Sequence, residues 1–325
     1  MVFDMVWHKK RHWRNVVLSV LTFPIVFGYL IKTTHSSTYS SFHTEVNGYA
    51  LEYKDAGELS LLTYNVAGLP DFLSSASCSR AKSMKEIAEK INRFDIVNVQ
   101  EDFHYHRELY GDRNEHRFRT VHKIAVPYGD GLNTLSKYPI RESRRIPWQH
   151  CSGSDCLAAK GFSFARIEVA KGISVDVYNV HATAQDDKYA TIARKKNLQQ
   201  LAQYIGTQSV GKAIIVMGDF NAHFEATWDN MGWFAQKTGL EDVWTILQKG
   251  GVCPFAHTDF VPKEKLTLTD SCESIDKILF RNSAQLEFFP SVYKVEKQYF
   301  TNSNGVPLSD HYAISCILQW RKNSR

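Results

Sequence analysis

The chain has 325 residues, of which 43% are hydrophobic and 22% charged, with 18 glycines and 9 prolines. These proportions are typical of a globular protein and exclude a disordered, collagen-like or coiled-coil chain. The net charge is +5, but residues 1–35 contain five Lys and Arg residues and one Asp, so the rest of the chain carries only +1. A nearly neutral body argues against a large polyanion-binding face.

The N-terminal segment has the pattern of an export signal. An uncharged apolar run of 16 residues, Val16–Ile31, follows basic residues 8–14, and this charge bias keeps the N-terminus in the cytoplasm. Its length lies between a cleavable signal peptide, about 7–15 residues, and a membrane span, about 17–25. Residues 1–35 are therefore interpreted as a cytoplasmic basic segment with a signal anchor or as a signal peptide, and the Ser- and Thr-rich start of residues 36–57 as a stalk. The body would be membrane-anchored outside the cytoplasm or secreted.

Short apolar runs alternate with amphipathic stretches through the rest of the chain. Runs rich in Val, Ile, Leu and Tyr predict strands at Leu59–Tyr64, Ile96–Gln100, Ser174–Val180, Ala213–Met217, Lys277–Phe280 and Ala313–Leu318. Helical spacing predicts a helix at 80–92 with Met84, Ile87, Ala88 and Ile91 on one face, and another at 189–205 with Ile192, Leu198, Leu201 and Ile205. This alternation predicts a single α/β domain.

The six cysteines all lie beyond the apolar run, where an extracytoplasmic setting allows disulfides. Cys151 and Cys156, separated by SGSD, are the best candidates for a bridge that closes a short loop. A zinc site is disfavoured because no second close cysteine pair accompanies them.

Polar residues stand where the apolar runs begin or end. They are Asn65, Glu101, His181, Asp219, Asn221, Asp276, Asp310 and His311. In α/β folds catalytic groups collect at such strand ends. Carboxylate and amide oxygens suit a hard cation such as Mg²⁺, and two histidines can supply a general base and a general acid. This combination, without a covalent nucleophile, is the chemistry of water attacking phosphorus.

The arrangement of these segments resembles the endonuclease/exonuclease/phosphatase, or DNase I-like, superfamily. In chain order the similar segments are LLTYNVAGLP, DIVNVQED, YGDGLNTLSKYPI, VYNVHATA, IVMGDFNA, SIDKILF and LSDHYAI, covering residues 58–318. GDFNA followed by a terminal SDH is the most specific feature. The resemblance implies an α/β fold, a four-layer α/β/β/α sandwich with two packed, mainly antiparallel sheets, over residues 58–325.

The resemblance also implies a role for each residue in the matching segments. Glu101 is expected to be the principal Mg²⁺ ligand, with Asn65 beside it and Asp310 as a further ligand. Asp219 would orient or deprotonate the attacking water, and Asn221 would hold the substrate phosphate.

Two histidines complete the expected site. His311 would act as a base or polarise the phosphate, with Asp276 orienting its ring through a ring N–H. His181 matches the second family histidine, which could protonate the leaving oxygen. Both rings would contact the substrate phosphate, and which one is the acid stays open.

Within the superfamily the sequence favours a phospholipid hydrolase similar to the sphingomyelinase C enzymes. The abasic-site nucleases generally carry a different residue at His181, whereas deoxyribonucleases and sphingomyelinases carry histidine. The segment CSGSDCLAAKGF, residues 151–162, resembles the KGF-containing stretch of secreted sphingomyelinases. The expected partner is therefore a phospholipid substrate at a membrane surface.

The alternatives are a secreted or anchored nuclease and, more remotely, an inactive binding protein on the same fold. Basic clusters at residues 137–145 and 194–196 could grip nucleic acid locally, and GDGLN departs from the corresponding run of bacterial sphingomyelinases. The intact set of site residues argues against the binding protein.

Overall fold

A computed structural model describes residues 50–121 and 129–323. Its strands are β1 (Ala56–Asn65), β2 (Ile96–Gln100), β3 (Phe118–Arg119), β4 (Asn133–Ser136), β5 (Ile140–Pro147), β6 (Gly161–Ala170), β7 (Ile173–His181), β8 (Ile214–Asp219), β9 (Glu241–Asp242), β10 (Asp276–Arg281), β11 (Leu286–Val295) and β12 (Ile314–Lys322). Its helices are α1 (Arg80–Lys90), α2 (His106–Tyr110), α3 (Lys188–Gln208), α4 (Met231–Thr238) and α5 (Val243–Lys249).

These strands form two mixed, six-stranded sheets. The first has the order β11-β12-β1-β2-β4-β3 and the second the order β5-β6-β7-β8-β10-β9. One neighbouring pair in each sheet is parallel, β1 with β2 and β7 with β8. The other pairs are antiparallel. The prediction of two mainly antiparallel sheets is therefore confirmed.

Three apolar clusters show how the layers stack. Inward-facing residues of both sheets meet in one cluster, which includes Leu61 of β1, Val177 of β7 and Met217 of β8. The outer face of the first sheet is covered by α1 and that of the second by α3 and α4. Because each sheet buries one face on the other and one face under helices, the fold is the expected four-layer α/β/β/α sandwich.

Both predicted helices are present, as α1 and α3. The residues predicted for their buried faces are correct for α1 and partly wrong for α3. All four residues predicted to form the buried face near α1 are buried, but Ile192 of α3 is 49% exposed. Leu198, Leu201 and Ile205 are fully buried, as predicted. Six residues turn a helix by about 600°, which places Ile192 about 120° away from Leu198.

Most basic residues of the clusters interpreted as candidate nucleic-acid contacts are paired with acidic side chains. Lys137 pairs with Asp95, Arg141 with Glu168, Arg144 with Glu142 and Arg145 with Asp130. Arg194 is fully buried and paired with Asp186 and Asp229. Arg194 is therefore not available to a nucleic acid at the surface, and local contact of the other basic residues with nucleic acid stays a prediction.

Cys151 and Cys156 form the predicted disulfide, with Cα atoms 5.2 Å apart. Their short loop lies between β5 and β6. The predicted signal segment at residues 16–31 lies outside the described residues, as does most of the predicted stalk. Across residues 50–121 and 129–323, no helix has both the length and the apolar composition needed to cross a membrane.

A layer of buried amides joins the two sheets beside their apolar interface. Asn98 of β2 donates from Nδ2 to the carbonyl of Tyr178 at 2.9 Å in the opposite sheet. Asn179 of β7 donates from Nδ2 to the carbonyls of Val99 and Asn133, at 2.9 and 3.0 Å, and accepts from Gln100 at 2.7 Å. Because these groups are buried, each bond satisfies an atom that water cannot reach.

We expect Asn179→Ala to lower the free energy of unfolding by about 3 kcal/mol, because it removes three buried hydrogen bonds, two to backbone carbonyls and one from the Gln100 amide. Urea titration monitored by circular dichroism measures the change. Asn304→Ala, at an exposed turn position, is the matched control. Equal stability of the two variants would contradict a structural role for the amide layer.

Candidate active site

The same strand faces that form the inter-sheet core continue into a polar cluster at one end of the sandwich. Side chains two residues apart share one face of a strand. The inner face of β8 carries Ile215, Met217 and Asp219 in sequence, and that of β1 runs through Leu59, Leu61 and Thr63 to Asn65. Strand pairing then sets His181 beside Asp219, and Asp219 beside Asp276.

Asn65 holds two acidic side chains together. Its Nδ2 donates to Oε1 of Glu101 at 3.0 Å and to Oδ2 of Asp219 at 3.1 Å, while its Oδ1 accepts from the amide of Ala67 at 3.1 Å. Asn65 thus turns its donor, rather than its oxygen, towards the carboxylates. This arrangement positions Glu101 and Asp219, and the predicted role of Asn65 as a metal ligand stays a prediction.

Two site residues adopt left-handed backbone conformations, with φ of +57° at Glu101 and +49° at Asn221. Non-glycine residues in this region are strained, and such residues cluster at functional sites. Asn221 donates its backbone N–H to Oδ1 of Asp219 at 2.9 Å. The tight turn after β8 therefore orients the Asp219 carboxylate.

Asp219 lies between the two histidines. Its Oδ2 is 3.8 Å from Nε2 of His181 and 3.8 Å from Nε2 of His311. Burial, together with the nearby Asp276 carboxylate, raises the pKa of Asp219. This carboxylate is thus well placed to accept a hydrogen bond from a water molecule between the rings.

Asp276 lies against the ring of His311. Nδ1 of His311 lies 2.7 Å from Oδ2 of Asp276. Burial opposes a charge on the ring, but the Asp276 carboxylate outweighs it and raises the pKa of His311 to about 9. Lys265 Nζ, however, lies 2.6 Å from Nε2 of His311. Two N–H donors cannot share this contact, so one of these two nitrogens accepts the hydrogen bond, and which one does so depends on the protonation of the ring.

His181 has a different environment from His311. Its Nε2 is 3.9 Å from Oε1 of Glu101, and its Nδ1 has no hydrogen-bond partner among the described residues. Burial lowers the pKa of His181 well below its ordinary value, and the Lys160 charge adds to this effect. The His181 ring is therefore held neutral.

Lys160 brings a buried positive charge to the His181 side of the cluster. Its ammonium is 2.8 Å from Oδ1 of Asp155, whose other oxygen accepts from the backbone of Ala184 at 2.7 Å. Asp155 lies inside the disulfide loop, which therefore connects to the backbone just after His181. In the sequence, the only indication that Lys160 belongs near the site is its position in the KGF segment.

Two fully buried arginines, which the sequence did not mark as site residues, hold the loops that carry the cluster. Arg80 donates to the carbonyl of Ala67 at 2.9 Å, to that of Leu308 at 2.7 Å and to that of Val66. These carbonyls belong to the loops that follow Asn65 and precede Asp310. On the other sheet, Arg194 donates to the carbonyls of Thr183 and Gln185 and to Asp229 and Asp186.

The structure brings the predicted site residues into one cluster. Hydrogen bonds or contacts under 4 Å connect Asn65, Glu101, His181, Asp219, Asn221, Asp276 and His311. Asp310 is at its edge, with Oδ2 3.9 Å from the Lys265 ammonium.

The donor set fits a divalent cation. Asp219, Asp276 and His311 each offer one ligand atom, and these atoms lie within 4.8 Å of one another. Oδ1 of Asp276 is buried and has no hydrogen-bond partner among the described residues, so it is free to bind an ion. Oxygen-rich sites of this kind suit Mg²⁺. Asp219, Asp276 and His311 thus offer donor atoms, and the ligand roles of Asn65, Glu101 and Asp310 stay predictions.

Comparison with known proteins shows the family of the chain. Residues 73–317 match the model of endonuclease/exonuclease/phosphatase family 2. The chain belongs to the endonuclease/exonuclease/phosphatase family. Curated sphingomyelinases of Mycobacterium tuberculosis and Mycobacterium bovis are 38% identical over 264 residues, which is 79% of this chain and 51% of each relative. The chain therefore spans about half the length of the curated relatives it matches.

Solved structures of the family share the fold. Sphingomyelinase C from Streptomyces griseocarneus is 18% identical with a TM-score of 0.55, covering 81% of this chain and 99% of its own. A beta toxin variant from Staphylococcus aureus with bound magnesium ions is 17% identical with a TM-score of 0.56, covering 80% and 99%. TDP2 from D. rerio, complexed with a single-strand DNA product, is 16% identical with a TM-score of 0.59, covering 80% and 98%. At these identities the likeness concerns the fold.

We expect Arg80→Lys to lower turnover by roughly tenfold to a hundredfold, because lysine keeps the charge but lacks the planar fork that reaches three carbonyls. Steady-state phosphodiesterase kinetics measure the change. Arg107→Lys, at an exposed position of α2, is the control. Turnover equal to that of the control would show that the Arg80 contacts do not position the site.

Proposed function

We propose that the chain is a metal-dependent phosphodiesterase that hydrolyses sphingomyelin to phosphocholine and ceramide. The observation that carries the reaction class is the placement of Asp219 midway between two histidine Nε2 atoms, 3.8 Å from each. The lipid substrate is supported by the curated sphingomyelinases that are 38% identical to this chain.

In this reaction a water oxygen bonds to phosphorus while the bond from phosphorus to the ceramide oxygen breaks. Asp219 orients the water through a hydrogen bond. One histidine Nε2 accepts the water proton and the other histidine supplies a proton to the leaving oxygen. Asp276 fixes the His311 ring for its part in this transfer, and Asn221 holds the phosphate.

Glu101, Asp219 and Asp310 are proposed to hold Mg²⁺, with Asn65 beside them. A bound Mg²⁺ would neutralise charge on the phosphate and on these carboxylates. The protein's own contribution is the fixed position of the acidic groups, which Asn65 maintains through two hydrogen bonds.

Charge pairing on the surface supports lipid over nucleic acid. The four basic residues Lys137, Arg141, Arg144 and Arg145 are each paired with an acidic neighbour. Nucleic-acid binding depends on free Lys and Arg side chains that neutralise phosphates. The disulfide agrees with an oxidising compartment outside the cytosol, where the chain is proposed to be anchored or secreted.

The proposal is tested with the purified full-length chain, Mg²⁺ and two substrates in parallel, sphingomyelin in mixed micelles and plasmid DNA. Release of phosphocholine without plasmid nicking is the expected result. Nicking without phosphocholine release would overturn the lipid substrate in favour of the nuclease. No reaction with either substrate would favour the inactive binding protein.

We expect His181→Ala and His311→Ala each to lower turnover by about 10²- to 10⁴-fold while the fold is retained, because each removes a proton-transfer group. Phosphocholine release measures turnover, and circular dichroism checks the fold. His104→Ala, at an exposed position, is the matched control. Near-normal turnover in either variant would contradict the two-histidine scheme.

A further inference from the structure

Lys265 reaches the active site from a loop that carries none of the other site residues. It begins the short 3₁₀ turn Lys265–Thr267, in the long connection between α5 and β10. Its ammonium lies 2.6 Å from Nε2 of His311 and 3.9 Å from Oδ2 of Asp310. None of the family-like segments contains this residue.

The direction of this side chain is opposite to that of an ordinary surface lysine. A lysine normally lays its stem along the protein and keeps its ammonium in water. The Lys265 side chain is 43% exposed, yet its ammonium contacts a histidine that is itself buried. The acidic cluster explains this inward direction, because its negative charge attracts the ammonium.

The backbone around Lys265 is anchored next to the cluster. Tyr312, the residue after His311, donates its hydroxyl to the carbonyl of Leu266 at 2.8 Å. Leu268 is buried in the inter-sheet core, and the Asp270 carboxylate accepts from the amide of Val295 at 2.7 Å. These contacts fix the turn, so the Lys265 stem starts from a defined position beside His311.

The charge of Lys265 acts on several groups of the site at once. Its ammonium faces Nε2 of His311 and Oδ2 of Asp310 at the same time. Its approach to Asp310 is longer than a hydrogen bond and partly exposed, and such ion pairs contribute little to stability. Stabilisation of the fold therefore does not account for the position of the ammonium.

We propose that Lys265 is a catalytic residue whose ammonium binds a non-bridging oxygen of the substrate phosphodiester. The inference rests on the proposed function, because it assigns a substrate contact in that same site. The phosphate enters between Nζ of Lys265 and Nε2 of His311, so that both atoms turn from each other to the phosphate oxygens. Negative charge that grows on these oxygens as water attacks is stabilised by the ammonium.

Lys160 and Lys265 then flank the site from two sides. Lys160, which follows the disulfide loop, acts electrostatically on His181. Lys265 contacts His311. A phosphodiester anion that approaches several carboxylates requires such positive charge in addition to a metal ion.

The test uses the full-length chain with Mg²⁺ and inorganic phosphate as the probe. We expect Lys265→Met to weaken phosphate binding, measured by isothermal titration calorimetry, and to lower kcat/KM by roughly tenfold to a hundredfold. Lys265→Arg retains the positive charge and should recover most of both. Lys263→Met is the matched control, because Lys263 lies two residues earlier and its ammonium is 3.4 Å from Sγ of Cys272.

Phosphate binding by Lys265→Met that equals the binding by the wild-type chain would overturn the proposal, as would the absence of phosphate binding in the wild type. A wild-type chain that leaves sphingomyelin intact, yet binds phosphate in a Lys265-dependent way, would overturn the proposed substrate and support the Lys265 contact. Circular dichroism of each variant excludes loss of fold as the cause.

Discussion

Acidic side chains converge between the two sheets, and the surrounding structure compensates for their mutual repulsion. Asp219 and Asp276 are buried and directly paired in register on neighbouring strands, and Asn65 draws Glu101 to the same place. Like charges in a buried setting disfavour ionisation, which agrees with the raised pKa of Asp219. The two N–H bonds of Asn65, the Asp276–His311 contact and the inward ammonium of Lys265 all offset this charge. The same excess of negative charge makes the cluster a suitable site for a divalent cation.

The acidic groups converge because every second side chain of a strand lies on the same face, and the inner faces of both sheets end at this cluster. The inner row of β7 changes from Val177 in the core to the amide of Asn179 and then to His181, so the core, the amide layer and the site are continuous along this strand. Gly218 of β8 permits the close approach of this strand to Val180 of β7. A Cβ at this position would meet the carbonyl oxygen of Val180 at 2.1 Å, and its φ is +159°. Only glycine lets β8 lie close enough to β7 to set His181 beside Asp219.

Much of the fold and of the candidate site could be predicted because the signal is local. Apolar runs located six of the strands to within a few residues, and polar residues at their ends located the cluster. The buried arginines carried no such signal, since Arg80 finds its carbonyl partner at Leu308, far along the chain. Lys265 lies in a polar loop without periodicity, so only the folded chain shows that it reaches His311. Arg194 belonged to a basic run that suggested a surface patch, but its partners bury it. Ile192 is exposed because its helical angle, about 120° from that of Leu198, places it outside the buried face of α3.

The proposed reaction depends on a divalent cation bound by the acidic cluster. The most direct measurement is isothermal titration of the full-length chain with Mg²⁺, compared with Glu101→Gln and with the exposed control Glu115→Gln. Saturable binding by the wild type and by Glu115→Gln, with binding by Glu101→Gln weakened at least about tenfold, is the predicted result. Equal binding by all three chains, or no saturable binding by the wild type, would contradict it.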